Sequence, residues 1–205
     1  MANTNAPKGF SPVGTVSGAA YNEQGRMYAI ATDASNTYAI GDVVKVAGGS
    51  DANGIPYVTK LTNGAAGGDV PLGIVVGFRT ADPGVSLVGS TLALEKTWLP
   101  LSSGTRYVFV VDDPNVVFTV QMDSTAIATT DLHKNAPITV TADQTSSLST
   151  SAPYSNAVLT TPSTGSTNPV QLLGLYQLPN NAVGAYAVLL AKWNVHQYFG
   201  GKSGV

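Results

Sequence analysis

Two histidines, His133 and His196, are the first candidates for acid–base or metal chemistry in this 205-residue chain. His133 lies in the polar context Asp131-Leu-His-Lys134, and His196 lies in Trp193-Asn-Val-His-Gln197. A metal ion or an activated nucleophile would need a second group at a suitable spacing, and no H-x₃-H, H-E-x-x-H or G-x-S-x-G pattern occurs. We therefore interpret both as surface or rim histidines.

Asp112 and Asp113 are adjacent carboxylates, followed by Pro114 and Asn115. Catalytic carboxylates of glycosidases face each other across a cleft, whereas adjacent residues of a strand point to opposite faces. An aspartate that begins a turn accepts backbone N–H groups, proline presets φ near about −65°, and asparagine tolerates left-handed φ. We predict that these four residues form a structural turn, in a β-hairpin or a tight β-corner, with no catalytic role.

Two glycine-containing segments are similar to ligand-binding loops without completing either pattern. Asp51-Ala-Asn-Gly54 resembles the start of a calcium loop but lacks the later ligands and the bidentate glutamate. Gly200-Gly-Lys-Ser203 resembles the end of a phosphate-binding loop, but His196 stands where the leading glycine is needed. We predict no metal site and no cofactor site, and we interpret residues 200–205 as a flexible tail.

Composition narrows the classes of partner. The chain has no cysteine, a formal net charge of -2 and 11% charged residues, against about 25% in an average protein. Disulfides, thiolate metal sites and cysteine nucleophiles are therefore excluded, and without a basic surplus we expect no nucleic-acid partner. The longest apolar stretch, residues 182–191, is far shorter than the roughly 18 residues of a membrane helix, so we expect no membrane partner.

The elements that must position any functional residue are strands. Glycine and proline interrupt the chain too often for long helices, and short β-branched or aromatic runs recur between turn signals. We predict a mainly β fold: an antiparallel sandwich, jelly-roll or β-tulip-like, with at most one or two helical turns in 124–132. The predicted strands are 26–31, 42–46, 56–61, 70–78, 91–98, 106–111, 116–121, 137–141, 157–160, 170–176 and 185–193.

The chain divides into three segments by composition. Residues 1–20 are rich in Gly, Ala, Pro and Asn and predict an extended N-terminal arm. Residues 21–199 form the β-rich domain, either as one unit or as two lobes of about 21–100 and 101–199. Within it, residues 141–167 are dominated by Ser, Thr, Ala and Pro, which predicts a surface excursion.

Aromatic residues near the ends of elements are candidates for contacts with a partner. Trp98 and Trp193 suit either core packing or an interface. Tyr198 and Phe199 follow the last predicted strand, and Phe10 lies in the arm, so we predict intermolecular contacts for these three residues. The predicted contact residues are Asn3, Pro7, Phe10, Trp98, Tyr198 and Phe199.

Four residue patterns, spread over most of the chain, carry a resemblance to a known family. They are Ala2-Asn-Thr-Asn-Ala-Pro-Lys-Gly-Phe10, Gly41-Asp-Val-Val-Lys-Val46 with Pro71-Leu-Gly-Ile-Val-Val-Gly-Phe78, Val111-Asp-Asp-Pro-Asn-Val-Val-Phe-Thr-Val-Gln121, and Ala191-Lys-Trp-Asn-Val-His-Gln197. Together they resemble the capsid decoration (cement) proteins of tailed bacteriophages.

The resemblance implies a structural protein with no active site. Cement proteins are β-rich, often trimeric, and bind the outer surface of the expanded capsid, where they bridge neighbouring subunits of the major capsid protein. Here residues 2–18 would act as a strap that orders on binding. The implied partners are the major capsid protein and further copies of this chain, preferably as a trimer. The implied location is the capsid exterior of the virion, reached after assembly in the host cytoplasm.

Two other functions stay open from the residues alone. A carbohydrate-binding β-domain of a phage fibre or surface protein would use Trp98 and Tyr198 as a stacking platform for sugars. A hydrolase on a β-scaffold would use Asp112 or Asp113. We expect the structural function and no enzymatic activity.

Overall fold

The computed structural model describes residues 3–30, 37–61, 69–79, 98–99, 106–140 and 154–199. The fold is mainly β, with antiparallel sheets in a sandwich-like arrangement, which confirms the fold class that the sequence predicts. The strands of the described residues are β1 Ser11–Thr15, β2 Arg26–Ile30, β3 Tyr38–Ala39, β4 Val43–Ser50, β5 Pro56–Lys60, β6 Gly73–Arg79, β7 Trp98–Leu99, β8 Tyr107–Val111, β9 Val116–Gln121, β10 Asn135–Ala136, β11 Ile138–Thr139, β12 Val158–Leu159, β13 Val170–Leu175 and β14 Val188–Trp193.

Five strands form a closed barrel in the order β2-β5-β4-β6-β8. All of its pairings are antiparallel except the one between β2 and β5. The barrel has its own apolar core, because β-branched and aromatic residues recur on the inward side of each strand. That core contains Tyr28, Ile30, Tyr38, Val44, Val58, Leu72, Val75, Phe78, Val108 and Val110. A buried ion pair also joins the barrel segments, with Lys60 Nζ 2.8 Å from Asp42 Oδ2.

The second unit is an open antiparallel sheet in the order β1-β9-β14-β13-β10. Residues alternate between its two faces, and β14 shows the pattern most clearly, with Leu189, Ala191 and Trp193 buried and the residues between them half-buried. The buried face packs against barrel residues such as Val43 and Ile74 in one continuous core. The two units are therefore joined by shared apolar packing.

A tight corner at Asp112–Asn115 connects the two units. Strand β8 pairs with β2 and β6, whereas β9 pairs with β1 and β14, so the two strands flanking the corner do not pair with each other. Of the two geometries that the sequence leaves open, the corner is right and the hairpin is wrong. All barrel strands therefore precede the corner, and all strands of the open sheet follow it except β1.

The N-terminal segment is part of the sheet, which corrects the prediction of an extended arm over 1–20. Residues 11–15 are strand β1, an edge strand that pairs with β9 and has an irregular register between Pro12 and Gly14. Beyond it the backbone turns back, since Thr15 N donates to Ala19 O at 2.9 Å. The backbone hydrogen bonds of an edge strand supply the order that the composition does not indicate.

The predicted surface excursion over 141–167 is wrong for part of its length. Ser155, Ala157 and Leu159 are buried, and Ile138 of β11 pairs with Leu159 of β12. Residues 141–153 lie outside the described residues. The short apolar run at 157–160 is thus enough to bring this segment onto the core.

Helix is limited to one short piece of the described residues. A 3₁₀ turn spans Thr129–Asp131, inside the segment where the sequence predicts one or two helical turns. Among the described residues, no helix has the length and apolar character needed to cross a membrane.

Candidate functional site

The start of the chain is held against its own fold by side-chain amides. Asn3 Nδ2 donates to the carbonyls of Ala182 and Ala185 at 2.8 and 2.7 Å, and its Oδ1 accepts from Ala182 N at 2.9 Å. Gln121 of β9 donates from Nε2 to Thr4 O at 2.9 Å and accepts from Ala6 N at 3.1 Å. Asn3, which the sequence predicts as a capsid contact, therefore uses its side chain within this chain.

Phe10 is a core residue, which corrects its prediction as an anchor for a partner. Its side chain is 1% exposed, and its ring lies 5.0 Å from that of Phe118 and 6.0 Å from that of Trp193. The backbone N–H of Phe10 also donates to Gly41 O at 3.0 Å. A residue buried to this extent cannot contact another molecule without leaving its pocket.

Two glycines allow the N-terminal segment to reach this pocket. Gly9 and Gly41 have φ of +70° and +91°, values that residues other than glycine rarely adopt. A Cβ at Gly41 would lie 2.5 Å from Lys8 O, and one at Gly9 would lie 2.5 Å from Gly41 O. The two backbones pack so closely that neither position has room for a side chain.

A cluster of polar side chains lies beside the corner between the two units. Asp112 is buried, and its Oδ2 accepts a hydrogen bond from Tyr28 Oη at 2.7 Å. Tyr198 Oη lies 3.1 Å from the same oxygen and 2.8 Å from Tyr28 Oη, so its single proton can go to either atom. Arg26 Nη1 lies 3.4 Å from Asp112 Oδ2. The Asp112 carboxylate therefore links β2, the corner and the C-terminal segment.

The electrostatics of this cluster favour the protonated forms of Tyr28 and Arg26. Burial raises the pKa of Tyr28 well above its ordinary value, and the hydrogen bonds to Tyr198 and Asp112 raise it further. The negative charge of Asp112 raises the pKa of Arg26. Tyr28 thus remains a hydroxyl donor and Arg26 a cation at all physiological pH values.

Three of the four residues predicted to form a structural turn, Asp113, Pro114 and Asn115, form it. Asp113 Oδ1 accepts from the backbone and side-chain nitrogens of Asn115 at 2.9 and 3.2 Å, and Val116 N donates to Asp113 O at 3.3 Å around Pro114. Asn115 does not adopt the left-handed φ that it would tolerate. Asp112 precedes the turn, and its carboxylate serves the polar cluster instead.

A cleft of about 750 Å³ opens at this corner, and we call it the junction cleft. Its lining combines three acidic side chains, one arginine, one amide and one tyrosine ring. The lining residues are Glu23, Gln24, Gly25, Arg26, Asp112, Asp113, Pro114 and Tyr198. Acceptors, donors and an aromatic surface thus border the same space.

His196 is fully buried, so the interpretation of it as a surface or rim histidine is wrong. Its ring packs 5.9 Å from that of Trp193 and 5.7 Å from that of Phe199, and its Nδ1 accepts from Tyr198 N at 3.1 Å. Burial lowers its pKa below the ordinary value. His133, by contrast, is exposed, as predicted.

The remaining predicted contact residues have different environments. Tyr198 is 48% exposed, whereas Phe199 is half-buried and packs against the core. Pro7 is half-buried in the N-terminal segment. Trp98 lies in β7 opposite Ala39, and its side chain, like the tail at 200–205, is outside the described part of the structure.

The calcium-like segment is a structural turn. The Asp51 carboxylate accepts from the backbone N–H groups of Asn53 and Ile55 at 2.9 and 2.8 Å, and from Tyr107 Oη at 2.7 Å. Over the described residues, no group of three or more His, Asp or Glu side chains could hold a metal ion.

The solvent-side face of the open sheet has little charge. Residues opposite each other in a ladder share a face, so the register identifies the members of what we call the outer sheet face. They are Ser11, Gly14, Val117, Thr119, Gln121, Asn135, Gln171, Gly174, Val188, Leu190 and Lys192. Lys192 is the single charged residue in this set, and Val117, Val188 and Leu190 are half-buried apolar residues. Gln121 is buried, with its side chain hydrogen-bonded to Thr4 and Ala6 of the N-terminal segment. The sequence pattern alone did not identify this face, because its members are known only once the order of the strands in the sheet is known.

Comparison of the chain with protein-family models, with curated protein sequences and with solved structures found no match. The functional interpretation therefore depends on the chemistry of the chain's own surfaces and on the resemblance of its short motifs.

Proposed function

We propose that this chain is a viral structural protein that binds the outer surface of an expanded phage capsid and bridges neighbouring major capsid protein subunits. The observation that carries the proposal is the outer sheet face. The four sequence patterns that resemble cement proteins supply the identity of the partner.

The outer sheet face has the composition of a protein-docking surface. The cores of protein interfaces are depleted of charged residues, and only one of the eleven residues that the register places on this face, Lys192, is charged. Its apolar residues Val117 and Leu190 lie on the two central neighbours β9 and β14. Val13 of the edge strand and Val16 beyond it are also exposed. A protein lattice would bury these groups without the cost of desolvating many charges.

Binding to the expanded lattice alone would stabilise that lattice by mass action. A capsid repeats the same contact many times, so a weak contact at each site has a large summed effect. Because the outer sheet face carries so little charge, the binding should depend weakly on ionic strength.

The test is binding of the purified chain to expanded, undecorated capsids of the phage that encodes it. We expect the chain to sediment with the capsids at low and at high salt and to raise their melting temperature. Thr119→Glu places a charge at the centre of the outer sheet face and should abolish both effects.

Thr59→Glu is the matched control, because Thr59 is a half-buried threonine on β5 that points away from the barrel core and lies opposite Lys45. It should bind like the unmodified chain. The proposal is overturned if the unmodified chain does not bind capsids, and the docking face is wrong if Thr119→Glu binds as well as Thr59→Glu.

A further inference from the structure

The junction cleft holds a combination of groups that the proposed capsid binding does not use. We propose that this cleft is a second binding site, which takes a neutral saccharide. None of its lining residues belongs to the outer sheet face, so the two activities occupy different surfaces.

The acceptors of the site are carboxylate oxygens that the fold leaves open. The Asp112 side chain is only 10% exposed, and its Oδ2 already serves Tyr28, Tyr198 and Arg26. Its Oδ1 accepts no hydrogen bond from any described residue. Asp113 likewise uses Oδ1 for Asn115 and leaves Oδ2 without a partner among the described residues. Each carboxylate can therefore accept a hydrogen bond from a ligand hydroxyl without losing an internal bond.

Arg26 is the hydrogen-bond donor of the site and the Tyr198 ring is its apolar surface, and both line the same cleft as those acceptors. Arg26 is 71% exposed, and its guanidinium carbon lies 6.0 Å from the centre of the Tyr198 ring. Tyr198 is 48% exposed, yet its hydroxyl is held by Tyr28 and Asp112, so the ring is fixed before a ligand arrives. A pre-ordered ring and a paired arginine reduce the entropy that binding would otherwise cost.

These groups match a saccharide better than a cation. Each sugar hydroxyl both donates and accepts, which suits a carboxylate next to a guanidinium, and the C–H face of a sugar ring suits a tyrosine ring. A cation would be attracted by the excess of acidic side chains, but it would leave the exposed guanidinium of Arg26 without a ligand partner. The volume of about 750 Å³ is within the range of roughly 300–1,000 Å³ that small-ligand sites occupy.

The charge of the cleft selects among saccharides. Glu23, Asp112 and Asp113 carry three negative charges against the one positive charge of Arg26. Sialylated and sulfated glycans would be repelled, so the ligand class is neutral hexose or N-acetylhexosamine units.

The experiment is a printed array of neutral, sialylated and sulfated glycans probed with the purified chain, followed by calorimetric titration of the best ligand. We expect binding to neutral glycans. Arg26→Ala and Asp113→Asn should each weaken the affinity about tenfold, since each removes one hydrogen-bonding partner. Asp113→Asn keeps the side-chain oxygen that caps the turn, and unchanged urea midpoints would confirm that both variants are folded.

Thr119→Glu is the control that separates this site from the proposed capsid surface, and it should keep full glycan affinity. The proposal is overturned if no neutral glycan binds above background, or if Arg26→Ala and Asp113→Asn bind like the unmodified chain. It is equally overturned if a polylysine peptide binds the cleft and the glycans do not, because the site would then be a cation site.

Discussion

Phe10→Ala is the sharpest test of how the N-terminal segment is held. Phe10 is 1% exposed and its ring contacts those of Phe118 and Trp193 at centroid distances of 5.0 and 6.0 Å. The substitution removes the whole ring from an interior that the strands of both units surround. Because strand β1 continues directly from Phe10, the neighbouring residues cannot collapse into the space without breaking the pairing of β1 with β9.

The expected loss follows from burial and from the cavity. Truncation of a buried phenylalanine costs about 3–5 kcal/mol, from the lost transfer free energy and the space left behind. Urea unfolding followed by fluorescence should therefore show a clearly lower midpoint with an unchanged slope, which identifies a change of stability alone. If residues 1–20 were an unattached arm, the same substitution would stay within about 0.5 kcal/mol.

Val16→Ala is the comparison within the same segment. Val16 is 54% exposed, so its truncation should change the free energy of unfolding by no more than about 0.5 kcal/mol. Equal midpoints for Phe10→Ala and Val16→Ala would refute the assignment of Phe10 to the core.

Two further predictions concern buried positions. Burial lowers the pKa of His196 below 6.5, so in acid the unfolded chain binds more protons than the folded chain. The free energy of unfolding should therefore be highest above about pH 6.5 and should decrease as the pH falls below that value. His196→Asn offers an oxygen to Tyr198 N without titrating, so urea midpoints at about pH 7.5 and about pH 5.5 should differ less than in the unmodified chain; an equal difference would contradict this. Gly41→Ala puts a Cβ 2.5 Å from Lys8 O, whereas Gly54→Ala, also at positive φ, meets no atom within 4 Å. Gly41→Ala should therefore lower the free energy of unfolding by at least about 2 kcal/mol more than Gly54→Ala, and equal losses would count against the close backbone approach.

Strand positions were the most predictable feature of the chain. Val116–Gln121 and Val188–Trp193 combine β-branched or large apolar residues with alternation, and both are strands. The turn signal at Asp113–Asn115 was equally local, because the aspartate oxygen and the proline act within four residues. Such features depend on neighbours in sequence, so the residue types carry most of the information.

The burial and the packing partners of several single residues were not predictable in this way. Phe10 lies in a segment containing glycine and proline in which nothing nearby indicates burial, and His196 is a polar residue among Trp193, Tyr198 and Phe199. Phe10 is buried because β9 and β14 bring Phe118 and Trp193 beside it, whereas His196 packs against Trp193 and Phe199, which are its neighbours in sequence. The sequence indicated only a turn role for Asp112, because its hydrogen-bond partners Tyr28 and Tyr198 are 84 and 86 residues away in the chain.

The sequence by itself determined that the chain is a mainly β protein and where most of its strands lie, because alternation and turn chemistry act over a few residues. The tertiary structure alone decided that β8 and β9 diverge into a barrel and an open sheet, and that the N-terminal segment becomes an edge strand with Phe10 in the core. It also decided which residues share the outer sheet face and which line the junction cleft. Strand partners are chosen by packing between distant segments, and that choice is a property of the whole chain.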